Sequence, residues 1–272
     1  TSFIGKKLVK ELGFQLQILS ISRKSIEGYP KNIKFLLFED PNFEETINSF
    51  QPDIFLNLAS ISNQKNISLN DYKKISEFNI STSSFIVDKA ISSNVKLIIN
   101  ISSNWAYLSG NNNQDFFNFY GFTKFALDKY IKNASKVSGC RSISLVLYDN
   151  FDKHDHRKKI FNLILDAIQN NAPIKLSPGE QLVNLTRMSD LVSAIKYAIC
   201  NDWDFPGHKY YQITGSEISI IQLSKIIKRV LGKENSKALI FGGLPYRKGE
   251  IMKPSYVFEE LPFLGFRKYN IG

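Results

Sequence analysis

The sequence contains few of the residues that build metal centres and disulfide frameworks. Its 272 residues include two cysteines and three histidines. Cys140 and Cys200 have no metal-ligand spacing and no disulfide framework around them, as is usual in a reducing compartment. The segment His154-Asp155-His156 could suggest a metal, but no third protein ligand is evident, and a polar loop beside basic residues explains it better. We therefore expect no metal site.

Long apolar segments are also absent. No run reaches the roughly 18 residues that a transmembrane helix needs. The start, TSFIGKKLVKEL (1–12), lacks the charged, then apolar, then small-residue order of a signal peptide. We expect a cytoplasmic protein that has no membrane partner.

The positive charge has no pattern typical of nucleic-acid binding. The formal net charge is +10, and 43% of the residues are hydrophobic, as in ordinary globular proteins. Basic groups at 23–24, 157–159 and 247–248 are not interleaved with aromatic residues that could stack on bases. Small phosphorylated ligands account for such groups equally well, so we expect no nucleic-acid partner.

Short apolar runs alternate with helical stretches over the first half of the chain. The predicted strands are 16–22, 33–38, 53–59, 95–102 and 142–148, and the predicted helices are 4–12, 71–91 and 119–135. This alternation implies an α/β fold with a parallel sheet, in which ligands bind beyond the carboxyl ends of the strands.

The pattern loosens after Tyr148. Helices are predicted at 160–170, 188–201 and 217–231, with a turn at 177–181 and a strand at 209–214. We expect one domain to comprise residues 1–148, with 184–214 returning to it. We expect residues 149–183 and 215–272 to form a smaller, discontinuous lobe.

The stretch NFYGFTKFALDKYI (118–131) places a tyrosine and a lysine on one helix face. Tyr120 and Lys124 are four residues apart, and residues at this spacing are neighbours on a helix. A fixed ammonium group lowers the pKa of a nearby phenol, which favours general acid–base chemistry. Such pairs are also common on half-exposed helices without any catalytic role.

The first residues are typical of the end of a glycine-rich turn that leads into a helix. In such turns, backbone N–H groups and the helix N-terminus hold a pyrophosphate. A lone glycine, Gly5, is equally typical of simple packing. Because no strand precedes the turn in the sequence, we expect the chain to be truncated, with a central strand preceding residue 1.

Four stretches, in order, resemble motifs of the extended short-chain dehydrogenase/reductase family, also known as the NAD-dependent epimerase/dehydratase family. TSFIGKKLV (1–9) resembles the end of its G-x-x-G-F-I-G-x-x-L-V fingerprint, and NLAS (57–60) resembles its H-L-A-A strand end. NISSNWAY (100–107) resembles its active-site serine strand, and YGFTK (120–124) its Y-x-x-x-K motif. The resemblance implies a Rossmann-type, doubly wound parallel sheet with a smaller C-terminal substrate lobe.

Three later stretches resemble the branch that contains CDP-abequose and CDP-paratose synthases. They are residues 147–164, 177–192 and 242–252. Members of this branch reduce the 4-keto group of a CDP-linked 3,6-dideoxyhexose. The resemblance thus implies an NADPH-dependent 4-ketoreductase that supplies sugars for cell-surface polysaccharides such as the lipopolysaccharide O-antigen.

The family resemblance also implies roles for particular residues. Ser103, rather than its neighbour Ser102, would bind the substrate carbonyl, Tyr120 would deliver the proton, and Lys124 would lower the phenol pKa and hold the nicotinamide ribose. Other substrate contacts would come from Asp149, Arg157, Lys158 and Arg247. The related 4,6-dehydratases carry an Asp-Glu pair where this chain has Asn104 and Trp105, so dehydration is disfavoured.

The cofactor implied is NADPH, with NAD as the alternative. NAD-binding members place an acid after the second strand, whereas this chain has two cations there that suit a 2′-phosphate. A solvated Arg-Lys pair is the structural alternative. The implied cofactor-binding residues are Ser2, Phe3, Ile4, Ser22, Arg23, Lys24, Leu58, Ala59, Ser60, Tyr120 and Lys124.

Two other functions stay open at this point. A nucleotide-sugar 4-epimerase uses the same serine, tyrosine and lysine but retains its oxidised cofactor. A non-catalytic NADP-binding scaffold would bind cofactor without turnover. The predicted helices 71–91 and 119–135 could also build the four-helix homodimer interface that is common in the family.

Overall fold

The computed structural model describes residues 3–23, 32–62, 68–108, 116–155, 157 and 159–263. The helices are α1 (Phe3–Leu12), α2 (Phe43–Phe50), α3 (Leu69–Ser76), α4 (Ser83–Ser92), α5 (Phe119–Ser138), α6 (Ile160–Asn170), α7 (Met188–Cys200) and α8 (Ile220–Val230). The strands are β1 (Ile18–Ser22), β2 (Ile33–Leu37), β3 (Ile54–Asn57), β4 (Leu97–Ser103), β5 (Arg141–Leu147), β6 (Asp149–Phe151), β7 (Ile174–Lys175), β8 (Leu182–Arg187), β9 (His208–Ile213), β10 (Ser216–Ser219) and β11 (Leu239–Ile240).

The chain divides into two compact units. Among the described residues, the first unit comprises those up to Leu147 together with Val192–Ile213 and Tyr256–Phe263. The second unit comprises Tyr148–Leu191 and Thr214–Ser255.

The first unit is built on parallel strands. Strands β3, β4, β5 and β9 form one parallel sheet in that order, and β1 pairs with β2 in another. Strand β4 is buried at every position except its last, which is why it appears in the sequence as a continuous apolar run. The predicted α/β class with a parallel sheet is therefore confirmed, while the prediction that a strand precedes residue 1 stays a prediction.

Helices α4 and α5 cover β4 with apolar side chains. Val87 and Ala90 from α4 and Leu127 and Ile131 from α5 pack in one buried cluster with Ile98 of β4. This packing fixes which face of α5 turns towards the sheet, and the same face carries polar residues of the candidate site.

The helix predicted at 71–91 has an irregular centre. Helix α3 is followed by a π-helical segment, Glu77–Thr82, and then by α4. A π-helical turn inserts an extra residue into a helix and often lies at a functional site. Here it contains Asn79, whose side chain is buried. Periodicity alone could not reveal this segment, because it continues the apolar pattern.

The second unit has a core of its own. Strands β10, β8 and β6 form one sheet, β11 pairs with β7, and α6 and α8 contribute Ile164, Ile168 and Leu223 to a buried cluster. The sequence predicts a helix from residue 217, but residues 216–219 form β10. Helix α8 begins at Ile220, because the Ser219 side chain accepts a hydrogen bond from the Gln222 N–H and caps it.

In the described parts of the chain, every helix is too short or too polar to cross a membrane.

Candidate active site

Ser103 lies at the carboxyl end of β4, where the strand leaves the sheet. The chain continues directly into a 3₁₀ turn, Asn104–Ala106, and the Ser103 Oγ accepts a hydrogen bond of 3.3 Å from the Trp105 N–H. A hydroxyl has one donor and two acceptor positions. The bond to Trp105 uses an acceptor position, so it leaves the hydroxyl proton available for a carbonyl oxygen.

Tyr120 lies in the first turn of α5, half-buried. The Asn118 side chain caps this helix by accepting a 3.0 Å hydrogen bond from the Gly121 N–H. The Thr123 hydroxyl donates to the Tyr120 carbonyl at 2.8 Å. The turn that carries the phenol is therefore held by two side chains.

The turn after β4 packs tightly against this first turn of α5. The Phe117 N–H donates to the Trp105 carbonyl at 2.8 Å, and a Cβ added to Gly121 would lie 2.2 Å from the same oxygen. The Trp105 ring meets the Tyr120 ring edge-on, with centroids 6.3 Å apart. The structure thus brings the turn that follows Ser103, called the serine turn below, next to Tyr120. At position 121 a side chain larger than that of glycine would collide with the backbone of Trp105.

Lys124 lies one turn further along α5, on its buried face. Its side chain is 3% exposed, and this burial lowers its pKa to about 8, although the nearby Asp128 acts in the opposite direction. The lysine therefore exchanges its proton close to neutral pH, in the range of a catalytic group.

Asp128 is a residue that the sequence reasoning missed. Its carboxylate is fully buried and accepts hydrogen bonds from Asn100 and Tyr107, both at 2.7 Å, and from the hydroxyls of Ser102 and Ser144. The available signal was its spacing of four residues from Lys124. Burial and the negative charge of Asp128 raise the pKa of Tyr107 well above its usual range.

Two buried asparagines link the site to the loop after β3. The Asn57 side chain donates to the Asn100 Oδ1 at 2.8 Å and accepts from the Ala59 N–H at 3.1 Å. In the π-helical segment, Asn79 holds both backbone groups of Ile61 and donates to the Thr123 hydroxyl at 3.0 Å. The loop is thereby tied to β4 and α5 by side chains rather than by sheet pairing.

The described residues with a predicted cofactor role all belong to the first unit. Phe3 and Ile4 begin α1, Ser22 and Arg23 lie at and just after the end of β1, and Leu58, Ala59 and Ser60 follow β3. Arg23 is exposed, and its guanidinium lies over the Phe78 ring at 4.6 Å. Ser2 and Lys24 lie outside the described residues.

The predicted substrate residues Asp149, Arg157 and Arg247 belong to the second unit. The Arg157 Nε donates to the Asp155 carboxylate at 2.8 Å. Arg247 makes two hydrogen bonds of 3.0 Å to Glu250. Both guanidiniums are therefore already paired with acids. Lys158 lies outside the described residues.

Lys159 is a partly buried cation of the second unit that sequence reasoning did not select. Its ammonium donates to the Asn150 carbonyl at 3.0 Å and to the Asn150 side chain at 2.7 Å. Burial lowers the pKa of Lys159 to about 8. Burial also raises the pKa of Asp149, while the charges of Lys159 and Arg247 act to lower it. In the sequence Lys159 is one of three adjacent cations, and its partial burial is not visible there.

Comparison with known proteins identifies the relatives of this chain. A model of the NAD dependent epimerase/dehydratase family matches residues 1–213. The CDP-abequose synthase of Yersinia pseudotuberculosis is 28% identical over 268 residues, which cover 96% of this chain and 91% of that protein.

Solved structures share the fold. The UDP-glucuronic acid 4-epimerase from Bacillus cereus, in complex with UDP-glucuronic acid and NAD, has a TM-score of 0.80 at 16% identity, covering 96% of this chain and 88% of that one. The dTDP-glucose 4,6-dehydratase from Streptomyces venezuelae, with NAD bound, has a TM-score of 0.78 at 16% identity, covering 98% and 89%. At these identities the likeness concerns the fold, and it confirms the predicted Rossmann-type architecture.

Proposed function

Because the chain belongs to the NAD dependent epimerase/dehydratase family, we propose that it reduces the 4-keto group of a nucleotide-linked deoxyhexose with NADPH. The similarity to a CDP-abequose synthase supports a CDP-linked sugar and a place in cell-surface polysaccharide synthesis. The observation that carries the proposal is the packing of the Ser103 turn against Tyr120, with Lys124 buried one turn further along the same helix.

The residues of the first unit fit a nicotinamide dinucleotide. The start of α1 offers N–H groups for a pyrophosphate, and the loop after β3 follows the carboxyl end of a parallel strand, where such cofactors bind. Arg23, just after β1, offers a cation where a 2′-phosphate would lie. When bound, the cofactor supplies the hydride to C4 of the sugar.

The chain's own side chains manage the charge that this hydride creates. Negative charge develops on the former carbonyl oxygen, so a proton donor is needed there. Tyr120 donates that proton, and the Ser103 hydroxyl donates a second hydrogen bond to the same oxygen. Lys124, in its charged form, stabilises the phenolate that Tyr120 leaves behind and binds the nicotinamide ribose.

The residues after Ser103 favour reduction over dehydration. Elimination of water needs an acid and a base, and the 3₁₀ turn offers an amide and an indole, Asn104 and Trp105, in those places. Trp105 is half-buried between the rings of Phe117 and Tyr120, so it forms an apolar wall beside the phenol. Such a wall suits a sugar that has lost hydroxyl groups.

Turnover with a panel of 4-keto sugars tests the proposal. Purified protein is mixed with NADPH and CDP-, dTDP- or UDP-linked 4-keto-6-deoxy and 3,6-dideoxy sugars, and the loss of NADPH absorbance is followed together with the product. We expect stoichiometric oxidation, fastest with a CDP-linked sugar. Tightly bound NAD in the purified protein, with interconversion of C4 epimers, would instead favour an epimerase, and NADPH binding without any turnover would favour a scaffold.

A further inference from the structure

We propose that Asp128 is a positioning residue of the catalytic centre, which keeps the buried ammonium of Lys124 charged and fixes the side chains that support the cofactor loop. The inference rests on the proposed function for its catalytic consequence. Its electrostatic part concerns Asp128 and Lys124 alone and can be tested without turnover.

The first argument is the placement of the two residues on α5. Lys124, Leu127, Asp128 and Ile131 are all buried on the face that packs against β4 and β5. Positions four apart on a helix are neighbours, so Lys124 and Asp128 lie next to each other on this buried face. A buried charge without a partner is strongly unfavourable, and each of these two residues offers the other an opposite charge.

The second argument is the set of donors around the carboxylate. Asn100 and Ser102 reach it from β4, Ser144 from β5, and Tyr107 from the segment after the 3₁₀ turn. These four side chains hold the carboxylate group in one position between β4, β5 and α5. The carboxylate of Asp128 is therefore fixed on the same buried face of α5 that carries Lys124.

The other titratable groups near this pair do not replace Asp128. Tyr107 and Tyr210 face it with phenols whose pKa values are raised, first by burial and then by Asp128, so both stay neutral at ordinary pH. Asp128 also acts to raise the pKa of Lys129, but partial burial and the charge of Lys132 lower it overall. Among the described residues, Asp128 is the one charge that raises the pKa of Lys124 against the effect of burial.

The third argument is a chain of hydrogen bonds from Asp128 to the loop after β3. Because the Asn100 Nδ2 donates to Asp128, its Oδ1 points the other way and accepts from Asn57. The Asn57 oxygen in turn accepts from the Ala59 N–H, in the loop where we expect cofactor contacts. The carboxylate thus sets the orientation of two amides and, through them, the start of that loop.

The test is Asp128→Asn, which removes the charge and keeps the size. Lys124 acts in its charged form, so the rate persists below its pKa of about 8 and is lost as the pH rises through that value. Without the carboxylate the pKa falls, and we expect the alkaline limb of kcat to move down by about one pH unit. At pH 8 the variant should then be about fivefold slower, with a much smaller loss at pH 6.

A direct readout does not depend on turnover. Competitive labelling of lysines in the cofactor-free protein, followed by mass spectrometry over a pH series, gives the midpoint for Lys124. We expect this midpoint to fall in Asp128→Asn and to be restored in Asp128→Glu. Ser144→Ala is the matched control, because it removes one hydrogen bond to Asp128 and leaves its charge, so the midpoint should move much less.

A stability cycle covers the case in which Asp128→Asn folds but is too unstable for the kinetic assay. If the two charges compensate each other, the double variant Lys124→Met/Asp128→Asn should lose less free energy of unfolding than the two single variants lose together. A Lys124 midpoint that Asp128→Asn leaves in place, or strictly additive stability losses, would overturn the inference. If the wild-type protein reduces no keto sugar, the proposed function fails, and the labelling still decides the role of Asp128.

Discussion

At the scale of single residues, the chemistry of the site depends on burial. The spacing of Tyr120 and Lys124 is visible in the sequence, but a lysine four residues after a tyrosine is usually solvated. The structure supplies what spacing cannot: the ammonium is 3% exposed, and its pKa falls to about 8. Asp128 escaped sequence reasoning for the same reason, since an acid in a helix with lysines is typical of a solvent-facing position.

Arg23 tests the proposed cofactor preference. Arg23→Ala should weaken NADPH binding more than NADH binding, because a hydrogen-bonded contact between a guanidinium and the 2′-phosphate contributes about 1.5–3 kcal/mol. The ratio of the two dissociation constants should therefore fall by roughly ten- to a hundredfold. Fluorescence titration with each cofactor measures it.

The control for this variant is Lys96→Ala. Lys96 is also an exposed cation of the first unit, but it precedes β4 and pairs with Asp53. The Lys96→Ala variant should leave the ratio of the NADPH and NADH dissociation constants unchanged. If Arg23→Ala also leaves the ratio unchanged, Arg23 has no part in cofactor selection.

At the scale of secondary-structure elements, most of the first unit follows from apolar patterning. Four of the predicted strands there begin and end within two residues of β1, β2, β4 and β5. In β4 and β5, nearly continuous burial leaves a continuous apolar run in the sequence. The helix start at Ile220 could have been found from the capping pair Ser219 and Gln222. The π-helical segment at Glu77–Thr82 could not, since an extra residue in a helical turn leaves no compositional mark.

Gly121 tests whether the contact between the serine turn and α5 matters for turnover. In Gly121→Ala the new Cβ would meet the Trp105 carbonyl at 2.2 Å, so one backbone segment must move away from the other. Alanine favours a helix by about 1 kcal/mol over glycine, so any loss arises from this contact. We expect kcat to fall by about 10²-fold, because catalytic groups tolerate little displacement.

Gly139→Ala is the matched control at the other end of α5. Gly139 has a φ of +76° and no atom close to its missing Cβ. Alanine should destabilise the fold by about 1–2 kcal/mol through backbone strain and leave kcat unchanged. Equal kcat values for the two variants, measured where both are folded, would show that the contact at Gly121 is not needed for catalysis.

At the scale of the whole molecule, the predicted cofactor residues that the structure describes belong to the first unit, and the predicted substrate residues Asp149, Arg157 and Arg247 belong to the second. The family could be predicted from the sequence, because each of its four motifs consists of residues that are adjacent along the chain. The pairing of Arg157 with Asp155 and of Arg247 with Glu250 could not be predicted, because the fold decides which loop side chains meet. The assignment of the second unit to the sugar nucleotide remains our proposal.

Arg247 tests that assignment. If the second unit binds the nucleotide sugar, Arg247→Ala should raise KM for the sugar about tenfold or more through loss of a charge-assisted contact, with NADPH affinity unchanged. Lys225→Ala is the control, because it removes an exposed cation from α8 of the same unit. A KM that stays at the wild-type value in Arg247→Ala would remove this residue from the substrate site.

The most direct test of the central claim is Tyr120→Phe, measured by stopped-flow loss of NADPH absorbance with the keto sugar present. The variant keeps the ring that packs against Trp105 and deletes the proton donor. We predict a loss of about 10²–10⁴ in turnover, with NADPH affinity nearly unchanged. Wild-type rates in Tyr120→Phe would contradict the account, because the phenol would then not be the acid of the reaction.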